Sequence, residues 1–466
     1  MRTKVIRVVL VALATIPLAF VPRQTAPAVA ATRPNILLIV TDDMRASDLR
    51  WMPETRRLLG ERGVTMKNFL SNHPLCCPAR AEILSGQYAQ NNGVHHNKGP
   101  WGGFHASNPN HNVAVWLQQA GYKTAFVGKY LNKYYGKDGV QPGWTQFNPT
   151  TAKQYSPYGF SALYDGHERV VKDVYTGDWV RQQTNRYIRQ FSASGKPFFI
   201  YASQLAPHGM NVDGTWVPPV PAPRHRGYFP HVRPVSFKSP AFDKKSWITR
   251  AAGRVRRDRM VTLNRARLQA LQAVDEANAS AIRTLKRLGQ LDNTYIFFTS
   301  DNGLHLGEHR HVGKALPYEE SLKIPLLVRG PSIPRGVHRR QMTEHIDLAP
   351  TFLELAGARA DVQVDGTSLL PVLRRNARGY GTVLVQSGSE VAPWEWRGVR
   401  TPRYTFVRYV EEGHVLLFDR KKDPYELRNV AGMPEYAATR ARLEVRLKAL
   451  ENCLGADCRA ASRGVR

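Results

Sequence analysis

Four short, unbroken apolar runs constrain this chain most. Each has the length of a strand buried on both faces, and each stops at polar chemistry. PNILLIV (34–40) runs into Thr41-Asp42-Asp43, and TAFV (124–127) into Gly128-Lys129. PFFIYAS (197–203) leads to Ala206-Pro207-His208, and TYIFFTS (294–300) ends in Asp301-Asn302-Gly303. Helical patterns lie between them, such as VAVWLQQAG (113–121) and the long stretch from about Met260 to Leu288. The alternation predicts an α/β fold built on a large, mostly parallel sheet flanked by helices. In such sheets the functional crevice lies outside the carboxyl ends of the strands. One Asp after a strand is ordinarily a helix cap. Two acidic endings, a lysine and a histidine delivered to the same edge ask for more than capping.

Asp42, Asp43, Asp301 and Asn302 offer oxygen ligands only. That set suits a hard divalent cation, Ca²⁺ or Mg²⁺, rather than zinc or copper. Three carboxylates converging in one pocket would repel one another strongly without a cation between them.

The chain holds four cysteines in 466 residues. Cys453 and Cys458 are spaced to close a small disulfide loop. Cys76 and Cys77 are neighbours, which rarely bond to each other, and no second Cys or His cluster completes a zinc pattern. Residues 1–30 have the form of a cleavable signal peptide: a basic MRTKVIR, an apolar VVLVALATIPLAFV too short to span a bilayer, and Ala28-Val29-Ala30 as the cleavage site. With no later spanning segment in the sequence, the mature chain is expected to be secreted. The formal net charge of +29 favours polyanionic partners. No helix-turn-helix, zinc-finger or RNP pattern supports nucleic acid, so an acidic polysaccharide fits better. An Arg-rich compositional bias would give the same excess.

Residues 212–248 are rich in Pro and aromatics and read as a long ordered loop; with Arg250, Arg254, Arg256, Arg257 and Arg259 they are a candidate basic rim. From about 380 the pattern alternates, as in YTFVRYV (404–410) and HVLLFDR (414–420), before a terminal helix near 434–450. The expected organisation is a signal peptide (1–30), a large domain that carries the strand-end residues (31–379) and a smaller C-terminal domain (380–466) of antiparallel strands and a helix. Trp394 and Trp396 are placed to stack on sugar rings or to fill a core, and the sequence leaves both open.

Cys76-Cys77-Pro78-Ala79-Arg80 followed by Ala81-Glu82-Ile83-Leu84-Ser85-Gly86 resembles the type I sulfatase signature, C-x-P-x-R with a short helix and Gly. The likeness extends over nearly the whole mature chain. It takes in Asp42-Asp43, Gly128 to Asn132, Ala206-Pro207-His208, Ser300 to Gly303, His305 to His309, Lys314, Tyr318 to Ser321 and Glu344 to Thr351. Pro74 to Pro78 and Gly128 to Asn132 resemble the N-acetylglucosamine-6-sulfatase branch in particular. The resemblance implies an alkaline phosphatase/sulfatase-like architecture and removal of sulfate from a sulfated carbohydrate, with N-acetylglucosamine 6-sulfate units as the candidate substrate.

It also implies that a separate formylglycine-generating maturation enzyme oxidises Cys76 to formylglycine, whose aldehyde hydrates to a diol. One hydroxyl attacks sulfur as the alcohol leaves; the second then loses its proton, the C–O bond breaks, and sulfate and aldehyde are released. Asp42, Asp43, Asp301, Asn302 and the modified Cys76 would surround the cation, Ca²⁺ or Mg²⁺, with Asp301 or Asp43 as the base. Arg80, Lys129 and Lys314 would bear the sulfate charge, and His208 would meet sulfate and serve the leaving oxygen as general acid. Pro78 suits the first turn of a helix, which sets Cys76 at a helix N-terminus, an anion site. Taken singly, each of these side chains would read as a solvated or loop residue; their shared order carries the functional reading.

Two departures bear on this. Ala79 stands where many sulfatases carry Ser, and Tyr130-Leu131-Asn132 follow Lys129 where many arylsulfatases place a His. Asn132 can donate a hydrogen bond but cannot shuttle a proton. His305 and His309, and more weakly His95 and His96, are further candidates for lining the pocket. The competing readings are a phosphonate monoester or phosphodiester hydrolase with the same motif, and a non-catalytic polyanion-binding protein whose Cys76 stays unmodified.

Overall fold

The computed structural model describes residues 33–463 except 152–154, and before them only Val5 and Val8. The expected signal peptide lies outside the described residues. The chain runs through β1 (Asn35–Thr41), β2 (Val64–Leu70), β3 (Lys123–Lys129), β4 (Gln146–Thr150), β5 (Phe160–Tyr164), β6 (His167–Val171) and β7 (Phe198–Ser203). A small hairpin, β8 (Met210–Val212) and β9 (Thr215–Val217), leads into the long segment before helix Arg257–Arg287. Then follow β10 (Thr294–Ser300), a short pair β11 (His305–Leu306) and β12 (Val312–Gly313), β13 (Lys323–Arg329) and β14 (Val337–Glu344).

One ten-stranded sheet takes the order β14-β2-β13-β10-β1-β7-β3-β4-β5-β6. Its centre, β10-β1-β7-β3-β4, is parallel throughout. Antiparallel joins at β13 and β5 make the whole sheet mixed. All four apolar runs read from the sequence are neighbours in that parallel centre. Their continuous hydrophobicity follows from burial on both faces. Ile36, Leu38 and Val40 of β1 pack with Ile83, Trp116 and Phe352 from helices Cys76–Ser85, Val113–Gln119 and Leu348–Ala356. Leu37 and Ile39 pack the other way, with Trp179, Ile188, Leu271 and Val274 from helices Thr176–Ala193 and Arg257–Arg287. Each such side chain contributes about 1.5–3 kcal/mol on burial.

A second sheet, β15 (Val383–Ser387), β16 (Trp396–Arg400), β17 (Tyr404–Tyr409) and β18 (Val415–Asp419), is antiparallel in sequence order. Helix Ala437–Glu451 covers one face, packing Leu443, Leu447 and Leu450 against Leu384, Val399, Phe406 and Leu417. Cys453 and Cys458 form the disulfide that their spacing allows. Among the described residues no helix is long and apolar enough to cross a membrane.

Candidate active site

Strand register gathers the polar endings. Thr41 of β1 lies opposite Ser300 of β10, Val40 opposite Ser203 of β7, and Gly128 of β3 opposite Ser203 as well. Asp42-Asp43, Asp301-Asn302, Lys129 and the segment to His208 therefore leave the sheet side by side. Gly128 is required at this crossing: its φ is +104°, and a Cβ there would stand 1.8 Å from the Ser203 carbonyl oxygen. Asp43 takes a left-handed backbone (φ 66°), and its carbonyl accepts a 2.7 Å hydrogen bond from Arg267 Nη2.

Helix Cys76–Ser85 points its first turn into this edge. Leu75 is its extended N-cap, Pro78 sits in the first turn, and Gly86 in left-handed conformation ends it. The Cys76 sulfur lies 3.5 Å from Asp42 Oδ1 and 2.7 Å from Lys314 Nζ. Burial, with Asp42 adding to it, pushes the Cys76 thiol up to about 12, so it stays protonated and is a weak nucleophile as cysteine. Cys77 instead belongs to the apolar core, its amide donating to Asn97 Oδ1 at 2.8 Å.

Arg80, fully buried, ties the edge together. Its Nε donates to Asp301 Oδ2 at 2.9 Å, its Nη1 to the Lys129 carbonyl at 2.8 Å and to Ser203 Oγ at 2.6 Å, and Nη2 lies 3.7 Å from Asp42. Lys129 Nζ is paired with Asp42 and Lys314 Nζ with Asp43. Burial alone would raise the Asp42 carboxyl, but Lys129, His208 and Arg80 outweigh it and hold it well below the carboxylate range. Asp43 is likewise held down, by Lys314 and His208 against burial. Burial opposes the charge on Lys129, yet Asp42 raises it. His208 Nδ1 donates to the Gly209 carbonyl at 2.6 Å, which fixes the tautomer and leaves Nε2 facing Asp43 Oδ2 at 3.6 Å. Burial lowers the His208 pKa, with Asp42 and Asp43 acting against it.

Asp42, Asp43, Cys76 and His208 each offer a ligand atom within 4.8 Å of the others, so this group could hold a metal ion. Asp301 and Asn302 adjoin it. Asp301 Oδ1 accepts from the amides of Asp43 (3.1 Å) and Asn302 (2.8 Å), and Asn302 Nδ2 donates to Asp43 Oδ1 at 2.7 Å. The Asn302 amide oxygen is buried without a hydrogen-bond partner. A spare oxygen among three carboxylates fits a hard cation.

All nine residues singled out from the sequence therefore meet at one edge: Asp42, Asp43, Cys76, Arg80, Lys129, His208, Asp301, Asn302 and Lys314. Other candidates part from it. Trp396 is fully buried and donates Nε1–H to the Ala315 carbonyl at 3.0 Å, so it is core. Trp394 lies between His95, stacked at 4.1 Å, and Arg397, 4.3 Å from its ring. His305 is fully buried and His309 stacks on Tyr318 at 3.7 Å, both as packing residues. The arginines of residues 250–259 largely satisfy themselves: Arg254 pairs with Asp243, Arg256 with Asp258, and Arg257 lies over Phe237 and Phe242.

Three contributors escaped the sequence reading. Arg267, mid-helix yet buried, spans Asp48 (2.8 Å) and the Asp43 carbonyl; a helical arginine reads as solvated unless its apolar neighbours on the same face are counted. Ser203 donates to the Lys129 carbonyl at 2.5 Å and closes the Arg80 cradle. Tyr155 lies 4.9 Å below Lys129 Nζ and 4.9 Å from the His208 ring, and no local pattern marks it.

The sulfatase family profile matches residues 34–358, and the N-sulphoglucosamine sulphohydrolase C-terminal profile matches 307–453. An N-acetylglucosamine-6-sulfatase of Capra hircus is 30% identical over 488 residues, covering 92% of this chain and 85% of the relative. An extracellular sulfatase SULF-1 homolog of Drosophila melanogaster is 34% identical over 361 residues, covering 73% of this chain. The chain spans only 31% of that relative's length, and 51% of a similar one from Caenorhabditis elegans. A protein solved with its substrate D-glucosamine-2-N,6-O-disulfate shares the fold at a TM-score of 0.77 and 23% identity, over 93% of this chain and 99% of that one. A phosphonate monoester hydrolase of Agrobacterium radiobacter shares it at 0.69 and 22%, over 90% and 95%.

Proposed function

The chain belongs to the sulfatase family, and we propose that it removes sulfate from a sulfated carbohydrate, with a 6-sulfated glucosamine unit as substrate and Cys76 converted to formylglycine as the reacting residue. One observation carries this reading: the Cys76 sulfur stands at a helix N-terminus with Lys314 Nζ at 2.7 Å and Asp42 at 3.5 Å, inside a ring of buried charge. That sulfur marks where a reacting oxygen would stand. The relatives named N-acetylglucosamine-6-sulfatase support the choice of sugar, and extracellular relatives support secretion.

The hydrated aldehyde would supply one hydroxyl to attack sulfur and a second whose deprotonation expels sulfate. Asp42, Asp43, Asp301 and Asn302 would hold a divalent cation, Ca²⁺ or Mg²⁺, whose charge would stabilise the sulfate oxygens. Lys314 and Lys129 flank the same position as fixed cations. Arg80, held on three sides, keeps Asp301 and the Lys129 backbone in register. His208 presents Nε2 towards the site and would carry its second proton there to meet the leaving alcohol oxygen.

Peptide mass spectrometry of the tryptic fragment holding Cys76, from protein matured in its native host, tests the modification. An aldehyde or its hydrate is expected; an unmodified thiol in active protein overturns it, and in inactive protein favours a polyanion-binding role. Comparative kinetics on N-acetylglucosamine 6-sulfate, an aryl sulfate and an aryl phosphonate test the reaction. Dominant phosphonate turnover would favour the other hydrolase reading, to which the phosphonate hydrolase fold likeness lends only distant support. Chelation should abolish activity, and separate readdition of Ca²⁺ and Mg²⁺ identifies the cation.

A further inference from the structure

Tyr155 and Trp216 form a wall with the site on one side and open space on the other. Their rings are 5.2 Å apart, and both contact His208, at 4.9 Å and 5.8 Å. Tyr155 is anchored: its hydroxyl accepts from Asn132 Nδ2 at 3.0 Å, and its carbonyl accepts from the Asn211 amide at 2.9 Å. Trp216 is not anchored in this way; on the β8–β9 hairpin it is 58% exposed, an unusual cost for the largest apolar side chain. Beyond the pair lies a cavity of about 790 Å³, within the range of small-ligand sites. Tyr135 and Tyr158 also line it, together with Asn211, Asp213 and Lys172.

We infer that this cleft is a saccharide subsite that takes the sugar rings neighbouring the sulfated one, so that the substrate is an oligosaccharide rather than a free monosaccharide. The inference deepens the proposed function and rests on it for the link between cleft and turnover. The lining fits sugar chemistry. Aromatic faces accept the C–H face of a pyranose, whereas an amide, a carboxylate and an ammonium between them meet hydroxyls and an anionic group on the ring. A lipid chain would leave the Asn211 amide, the Asp213 carboxylate and the Lys172 ammonium facing apolar surface. The wall also has a consequence for catalysis: a ring stacked on Trp216 pins the substrate next to His208, whose ring touches the same indole.

The test compares wild type with Trp216→Ala and, independently, Tyr135→Ala, both at exposed positions. Three probes are used: 4-nitrophenyl sulfate, a tetrasaccharide bearing one 6-sulfated glucosamine, and the same tetrasaccharide without sulfate, titrated by calorimetry. Each variant should raise KM for the sulfated tetrasaccharide about tenfold, the usual loss when an anchoring aromatic is truncated. Tyr135→Ala should turn over 4-nitrophenyl sulfate as wild type does, whereas Trp216→Ala, which also removes a contact to His208, is read by binding; the unsulfated tetrasaccharide should bind wild type but about tenfold more weakly to both variants. Equal effects of Tyr135→Ala on both sulfate esters, or unsulfated tetrasaccharide binding that is absent or unchanged by substitution, overturns the subsite. If no sulfate ester is hydrolysed at all, the sulfatase reading fails by itself. Calorimetry then still decides the cleft: binding that Trp216→Ala weakens upholds it, and its absence overturns it.

Discussion

Two buried charge networks in this molecule use the same ingredients to different ends. At the sheet edge, Asp42, Asp43 and Asp301 face Arg80, Lys129 and Lys314. Where the second sheet meets helix Glu319–Leu322, Glu319 and Glu426 face Arg400 and Arg420. In the second network the carboxylates are paired throughout, although Arg420 Nε, 3.5 Å from Glu426 Oε1, makes no hydrogen bond. Arg400 reaches Glu319 through Nε (2.9 Å) and Nη2 (2.8 Å), Arg420 adds 2.7 Å, and both Glu426 oxygens accept, from Thr405 Oγ1 (2.6 Å) and the Glu319 amide (3.1 Å). The first leaves the Asn302 amide oxygen and Arg80 Nη2 without a hydrogen bond, around a Cys76 sulfur held between Lys314 and Asp42. Buried carboxylates whose oxygens are all paired hold two elements together; buried charge gathered around an unpaired acceptor and a reactive side chain is set for a ligand.

The largest break in that contrast comes from the sulfur at the centre of the first network. Cys76→Ala should lower turnover at least about 10⁴-fold, the scale for removing a nucleophile, with the melting temperature little changed. Cys77→Ala, one position on but facing the core, should keep turnover within about tenfold and lose about 1 kcal/mol of stability for the small void. Activity surviving in Cys76→Ala would remove the reading altogether.

Removing one cation from each network sharpens the comparison. Lys129→Ala should cost about 10²–10³ in kcat, as for removal of one preorganised charge. Assayed with the divalent cation present, its stability loss should be small, because Asp42 keeps a cationic neighbour. Arg400→Ala should do the reverse, costing about 1.5–3 kcal/mol by removing two short charged hydrogen bonds to Glu319 while Arg420 remains, with kcat per folded molecule unchanged. Thermal melts run beside kcat on both variants read the two axes; the same pattern in both variants would erase the distinction.

The sheet edge was legible in the sequence and its supports were not, for a physical reason. A strand buried on both faces must be apolar throughout, so PNILLIV and TYIFFTS declare themselves, and parallel neighbours must end at one edge. Lys314, in a loop, gives no such signal; it is placed by the short β11–β12 pair and by the family order, not by any periodicity. Arg267 meets Asp48 across 219 positions, and such a contact leaves no local trace. The outer strands hid for the opposite reason: β14, VHRRQMTE, is only partly buried and has no clean alternation. Trp394 and Trp396, two residues apart on one strand approach, could not be told apart until the sheet assigned Trp396 to its buried face.

His208 offers a finer cut. With Nδ1–H fixed on the Gly209 carbonyl, Nε2 is the one ring atom left for the leaving oxygen. A sugar alkoxide needs that proton and a nitrophenolate does not. His208→Gln should therefore cost about 10²-fold or more on N-acetylglucosamine 6-sulfate and under about tenfold on 4-nitrophenyl sulfate. Equal losses on both would make His208 a sulfate contact only.

The smallest effect concerns a histidine outside both networks. Burial pushes His309 down to about 4, although Glu308 and Asp423 act the other way. Between pH 6.5 and 4 the unfolded chain would then bind a proton there that the folded protein refuses. The stability this residue contributes is complete above about pH 6.5 and is lost as pH falls towards 4, at most about 3 kcal/mol. His309 has a left-handed backbone (φ 54°), which Asn tolerates, so His309→Asn is the suitable change. Losing the stack on Tyr318 lowers stability at every pH, so the slope is the measurement: denaturant unfolding from pH 7.5 to 4.5 should be flatter for the variant. A slope identical to wild type would place the acid sensitivity in other buried groups, such as His345, which burial also holds near pH 4.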